Sequence, residues 1–499
     1  MIPQIKPICW LVGVLPLFTP LSSLADYKAD IGFSDLQAQM AGALPTGATV
    51  KVTHVEAPVN DVSGGAPPLY MPDPHDSQFT GKTINPPLGN PSGGYSSHAT
   101  GVGYLFYGNN SSVAPGIIDI ATYETNAWLN RLMTDSGSAS VFPGRIANHS
   151  WVGNGNSPAA TGILLRLVDR QVERNEYIQV VGINNSNGTA LLGSAYNVIA
   201  VGTTNSSQPH GSVAVDGIYQ AGRTRPDVVA PLEVTSTATP VISAAAALLV
   251  QTGHDGAAAL SSGSTFIAGV GTIYNAERAT TVKAALMAGA ERVTHNTSTT
   301  ANITDYRANG FQTSNGLDSR YGAGQINILN SYRIIAAGEQ NSIQDEAGGH
   351  GAIGSSGFDF DESFGGAGGG NRAGSYFFTA GTDTTLRASL VWNMNVSNNN
   401  ALTTTLHHLD LAILDLTNNT IAGASNSAID NSQNVWLNLM NGHDYELRVT
   451  AAETANFSGS YALAWQIDAT PAPVPVPAAV WLLSSSLLAG ATLIRVRRQ

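Results

Sequence analysis

Between residues 48 and 340 the apolar positions follow two alternating periods. Val50, Val52 and Val55 belong to an alternating stretch that ends on a carboxylate, Glu56, which is the pattern of a half-buried strand. Strand and helix patterns then succeed one another through 117–121, 127–133, 144–150, 162–174, 177–183 and 198–202. Such alternation predicts an α/β fold, a parallel sheet with helices on both faces. The most apolar stretch is 241–250, in which only Ser243 is polar; Pro240 stands near its start and Gly253 near its end, the signals of a buried helix. A further helix is predicted over 276–291, with Ala279, Val282, Leu286 and Gly289 on one face.

After residue 373 the helical period disappears. Strand patterns at 375–379, 385–396, 409–416, 435–439, 445–451 and 461–465 predict an antiparallel β-sandwich over 373–468. A Gly-rich stretch, 341–372, reads as the linker between the two regions. Ahead of the first strand, 26–47 reads as a short helical lead-in with Leu36, Met40 and Leu44 at four-residue spacing. The Pro- and Gly-rich residues 58–94 read as a surface excursion.

Both ends carry targeting patterns. Lys6 precedes an apolar segment over 8–21, and Ser23-Leu24-Ala25 supplies small residues for a signal peptidase, so 1–25 reads as a signal peptide cleaved after Ala25. At the other end a Pro-rich stretch, 471–477, leads into a mostly apolar segment over 478–494 and then Arg495, Arg497 and Arg498. That length is at the lower limit for a membrane span, with the basic end cytoplasmic. Charge excludes one class of partner: with a net charge of −12 and no Lys/Arg cluster in the body of the chain, no nucleic acid is expected. The single cysteine, Cys9, lies in the signal segment, so disulfides play no part.

Candidate chemistry gathers at Thr235-Ser236-Thr237, which opens the buried helix. Unpartnered N–H groups there can stabilise negative charge on a substrate oxygen, and an N-cap in front of a core helix is the plain alternative. Upstream, His98 leads a block of small residues, His98-Ala99-Thr100-Gly101-Val102-Gly103, that lets a helix start close against the sheet. Together with Glu56, Val113-Ala114-Pro115, Tyr196-Asn197-Val198, and Arg225-Pro226-Asp227-Val228-Val229-Ala230-Pro231, these segments resemble the subtilisin-like serine peptidases in type and order. The resemblance covers residues 48–340. It implies Ser236 as nucleophile, His98 as general base, Glu56 as the acid that orients His98, and Asn184 as oxyanion donor, with Asn185 the choice if the register shifts by one. Ser150, Trp151 and Gly153 correspond to the strand edge along which the family binds an extended protein or peptide substrate, although Trp151 also fits an ordinary core aromatic. The chain departs from the family in having Glu56 for Asp, Val234 for Gly, and Gly182-Ile183-Asn184 for Ala-Gly-Asn.

Two further resemblances complete the picture. Leu409-Asp410-Leu411-Ala412-Ile413, with Asp430-Asn431 and Tyr461-Ala462-Leu463-Ala464, resembles the jelly-roll that follows some subtilisin-like domains. Asp410 and Asp430 are its candidates for calcium, against the ordinary role of solvated turn and strand-end carboxylates. Val474-Pro475-Val476-Pro477-Ala478-Ala479-Val480-Trp481 resembles the PEP-CTERM sorting signal, with Pro-Val-Pro in place of Pro-Glu-Pro, in a tail spanning 469–499. It implies an exosortase-type sorting enzyme as partner and a Gram-negative cell surface or the space beyond it as destination; a plain membrane anchor is the alternative. The expectation is a secreted, surface-sorted serine endopeptidase. Its competitor is an inactive fold of the same kind serving as a surface or matrix binding protein.

Overall fold

The computed structural model describes residues 27–469, apart from 135–136, 346–347, 366–370, 382–383 and 453–457. The expected signal peptide and the sorting tail from 470 onward, with its apolar segment, lie outside the described residues. Among the described residues no helix is long and apolar enough to cross a membrane.

Seven strands form one sheet: β1 (Val52–Glu56), β2 (Thr83–Asn85), β3 (Asp119–Glu124), β4 (Ile146–His149), β5 (Ile178–Gly182), β6 (Ile199–Thr203) and β7 (Val228–Ala230). Their order is β2-β3-β1-β4-β5-β6-β7, and neighbours run parallel; Val52 of β1 lies opposite Ile120 on one side and Ile146 on the other. Helices α1 (Tyr27–Asp30), α2 (Phe33–Met40), α3 (Ser97–Tyr107), α4 (Thr125–Thr134), α5 (Pro158–Asn175), α6 (Thr235–Asp255), α7 (Ala257–Leu260), α8 (Ala279–Gly289) and α9 (Ile328–Ala336) accompany it. Two cores result. Val52, Ile120 and Val180 pack with α3 and α6 on one face, while Val55, Tyr123 and Val181 pack with Trp128 of α4 and Leu165 of α5 on the other. The α/β expectation holds, because a strand covered on both sides carries apolar residues at both parities.

The helix read at 241–250 is α6, and its side chains from Ala238 to Val250 are buried. Its small residues allow close approach: a Cβ on Gly253 would stand 2.9 Å from the Ala276 backbone. The lead-in is part of the same core, since Ile31, Phe33 and Leu36 are buried in it and Ile328 N–H donates to Ile31 C=O at 2.8 Å.

The sandwich follows. Its strands are β10 (Ser356–Phe364), β11 (Ala373–Thr379), β12 (Thr384–Val391), β15 (Leu409–Asp415), β16 (Thr420–Ser425), β17 (Ser432–Leu439), β18 (Asp444–Ala451) and β19 (Gly459–Ala469); β8 (Ser264–Ile267) with β9 (Gly271–Tyr274), and β13 (Asn395–Val396) with β14 (Thr404–Thr405), form two separate two-stranded sheets. Two antiparallel sheets, β10-β19-β12-β17 and β11-β18-β15-β16, face each other. Two expectations need correction. The stretch 58–94, expected to be a surface excursion, supplies the edge strand β2 and buries Tyr70, Met71 and Phe79. Strand β10 lies inside the stretch read as a linker, because its Phe358 and Phe360 supply an apolar face that the surrounding glycines mask in the sequence.

The sandwich is not tethered at a distance. On β19, Tyr461, Leu463 and Trp465 point into the sandwich, whereas Ala462 and Ala464 join Phe358, Phe360 and the alanines of α8 in the core of the α/β unit. Alternating large and small residues along one strand thus serve two cores at once. Gly316 shows how close the two parts come: at φ +80°, a Cβ there would fall 1.9 Å from the Asn434 carbonyl oxygen of β17.

Candidate active site

In parallel α/β sheets, side chains beyond the carboxyl ends of the strands converge on one edge. Here Glu56 ends β1, Ser150 follows β4, and Asn184 and Asn185 follow β5. Helix α3 starts with Ser96 as N-cap, its side chain accepting from Ala99 N–H at 3.1 Å, and carries His98 in its first turn. His98 Nδ1 lies 3.1 Å from Glu56 Oε1. Ala57 N–H donates to the same oxygen at 3.1 Å, and His54 Nε2 lies 3.3 Å from Oε2.

The charges follow from this geometry. Burial pushes Glu56 up, but the His98 charge and the hydrogen bonds from His54 and His98 outweigh it and hold the group at about 2, against an ordinary 4.5. The Glu56 carboxylate in turn raises His98 above its ordinary value, with burial opposing. Glu56 is therefore ionised through the physiological range and His98 is a strengthened base.

Ser236 sits in the first turn of α6 and is nearly buried, at 8% exposure. Pro240, four residues on, has no N–H to give to the Ser236 carbonyl. Ser150 Oγ takes that place, donating to Ser236 C=O at 3.0 Å, and is itself held by Asn148 Nδ2 at 3.0 Å. Val234, the N-cap residue, offers no side-chain acceptor; Asn185 Oδ1 does so instead, accepting from Thr235 N–H at 2.9 Å and Thr235 Oγ1 at 3.0 Å. Among the described residues no hydrogen bond joins Ser236 Oγ to His98, although α3 packs directly on α6.

The other expected positions divide. Asn184 turns its side-chain oxygen onto Ser186 N–H at 3.2 Å, so the residue in contact with the start of α6 is Asn185. Trp151 is buried in the same core as Trp128, its Nε1 donating to His149 Nδ1 at 3.2 Å. Gly153 pairs with Leu191, its N–H donating to Leu191 C=O at 3.3 Å and its C=O accepting from Leu191 N–H at 2.9 Å. Beside that bridge lies a cavity of about 280 Å³, lined by Asn154, Ser157, Thr161, Ala190 and Val213 among others, with no charged side chain in its wall.

His54 carries a role that the sequence reading missed, and strand alternation alone puts it on the same face as Glu56. The calcium candidates stand apart from this edge. Asp430 accepts from Thr224 N–H at 2.9 Å and Ser427 Oγ at 2.7 Å, Asp410 is half-buried on β15, and among the described residues no group of three His, Cys, Asp or Glu is disposed to hold a metal ion.

No family model matches the chain, and no curated protein does. Among solved structures it is similar to a serine-to-alanine mutant of the protease domain of PatA, at 16% identity over 59% of this chain and 98% of that one, with a TM-score of 0.37. It is also similar to the PatG macrocyclase in complex with peptide, at 14% identity over 65% of this chain and 99% of that one, TM-score 0.37. Proteases from Pseudoalteromonas arctica share 17% identity over 47% of this chain and 86% of theirs, TM-score 0.31.

Proposed function

We propose that this chain is a subtilisin-like serine endopeptidase that hydrolyses peptide bonds through an acyl-enzyme on Ser236. The observation that carries the reading is the buried, ionised Glu56 held 3.1 Å from His98, on a helix that packs against the Ser236 helix. Ser236 Oγ attacks the scissile carbonyl as His98 Nε2 takes its proton, and Glu56 stabilises the imidazolium that forms. The oxyanion develops toward the Ser236 N–H, since the Thr235 N–H is held by Asn185 and those of Thr237 and Ala238 by the Val234 carbonyl, and toward an Asn side-chain amide. His98 then returns the proton to the leaving amine, and water repeats the sequence to release the acyl group. The protein or peptide substrate lies along 150–152, since Leu191 takes both backbone groups of Gly153, beside a cavity whose mixed wall of Asn154, Ser157, Thr161, Ala190 and Val213 favours uncharged side chains.

Two observations favour the competing reading, a non-enzymatic binding scaffold: the absent Ser236–His98 hydrogen bond and the pairing of Gly153 with Leu191. Catalytic hydrogen bonds are often long in the absence of substrate, so the first is weak support. Fluorophosphonate labelling of the purified chain, with and without calcium, decides between them. Labelling that disappears in both Ser236→Ala and His98→Ala supports the peptidase; a folded chain that never labels is the scaffold.

Export and surface sorting belong to the same proposal and rest on sequence alone. The signal peptide leaves after Ala25, the apolar tail holds the chain in the membrane, and an exosortase-type enzyme removes that tail at the surface of a Gram-negative cell.

A further inference from the structure

We propose that His54 is a positioning residue for the Glu56–His98 pair, clamping the longer acid side chain from the oxygen that His98 does not touch. The inference rests on the peptidase reading above. Glutamate places its carboxylate one methylene, and one rotatable bond, beyond aspartate, so a buried Glu needs an additional constraint to hold one oxygen against the imidazole. Oε1 has two donors, His98 Nδ1 and Ala57 N–H; Oε2 has His54 Nε2 at 3.3 Å. Residues two apart on a strand share a face, so β1 itself delivers His54 to Glu56.

The hydrogen bonds assign the tautomer. A carboxylate oxygen only accepts, so His54 Nε2 carries the proton; in the neutral ring Nδ1 is then an acceptor, and Tyr107 Oη, 3.0 Å away, donates to it. All three side chains are buried, so water does not compete for these bonds. Tyr107 is the last residue of α3 and His98 the second, so the helix is tied to β1 at both ends: His98 to Glu56, and Tyr107 to His54. Gly103 makes room for this. A Cβ there would stand 2.7 Å from Tyr107 Oη and 2.8 Å from the Phe79 ring, displacing the hydroxyl from His54. The four groups form one connected chain, Tyr107–His54–Glu56–His98, and its consequence is a fixed height and tilt of the His98 ring relative to β1.

Variants of the full chain test this. His54→Gln keeps an N–H donor near the place of Nε2, His54→Leu removes it, and Tyr107→Phe removes the donor to Nδ1. The first readout needs no turnover: the downfield proton resonance of His98 Nδ1–H in histidine-labelled protein. It is expected to be sharp in wild type and His54→Gln, and broadened or lost in His54→Leu with near-UV circular dichroism unchanged. The second is kinetic. In His54→Leu kcat on a peptide substrate falls between about tenfold and about a hundredfold with KM little changed, and His54→Gln recovers most of the loss. Equal impairment in both variants, or an intact resonance and unaltered kcat in His54→Leu, overturns the proposal. Should His54→Leu fail to fold, Tyr107→Phe decides, since a resonance and kcat identical to wild type would refute the clamp. A resonance that responds as expected in a chain that hydrolyses nothing would uphold the positioning role and reject the peptidase.

Discussion

Replacing Glu56 by Gln tests the electrostatics of the site through stability, independently of any substrate. Comparing Glu56→Gln/Ser236→Ala with Ser236→Ala alone removes self-cleavage as a complication. Glu56 is held at about 2 in the folded chain, against an ordinary 4.5. Because the folded value is depressed, its contribution is complete above the unfolded value and is lost as pH falls from 4.5 toward 2. A shift of that size corresponds to about 3 kcal/mol, of which about 2 kcal/mol is gone by pH 3. Urea unfolding followed by tryptophan fluorescence at pH 7 and pH 3 measures the difference, with the other acidic groups cancelling between the two proteins. The Gln variant should be the less stable at pH 7, and the gap should narrow by about 2 kcal/mol at pH 3. An unchanged gap would show that Glu56 is not held ionised by its two histidines. The same variant should titrate His98 lower than the parent, since the carboxylate that raises it is gone and burial alone remains.

Two further outcomes follow from the site and the chain ends. Asn185→Ala should slow peptide hydrolysis by about 10²–10³ and also lower the melting temperature through the lost cap on Thr235, whereas Asn184→Ala should have a smaller kinetic effect; the reverse ranking would return the oxyanion donor to Asn184. Mass spectrometry of protein recovered from the producing cells should find a mature chain that starts at Asp26 and lacks the apolar tail, and an intact C-terminal Arg498-Gln499 would identify a plain anchor instead.

Much of the architecture was legible in local periodicity. The alternation ending at Glu56, the buried Ala-rich run and the period-two strands of the second half each became the expected element, because amphipathic patterning acts over three or four residues. Among the strands that escaped notice, β10 and β16 did so for different reasons. In β10, aspartates alternate with Phe358 and Phe360, yet Asp359 is buried, accepting from Tyr376 Oη at 2.5 Å. In β16 the residues Thr420–Ser425 are small or exposed and carry no apolar stripe. Trp151 had two readings in the sequence, and packing put it in the core.

What the sequence determined by itself was the inventory: an acid at a strand end, a His leading a block of small residues into a helix, a Ser opening a buried helix, and their order along the chain. Tertiary structure decided which atoms meet. Asn185 rather than Asn184 reaches the start of α6, Ser150 replaces the donor that Pro240 lacks, His54 takes the second oxygen of Glu56, and Tyr107 holds His54. The physical reason is range. Periodicity is a property of neighbours, whereas these contacts, the His54–Glu56 bond apart, join residues 42 to 86 positions distant through the register of β1, β4 and β5 and the close approach of helices rich in Gly and Ala.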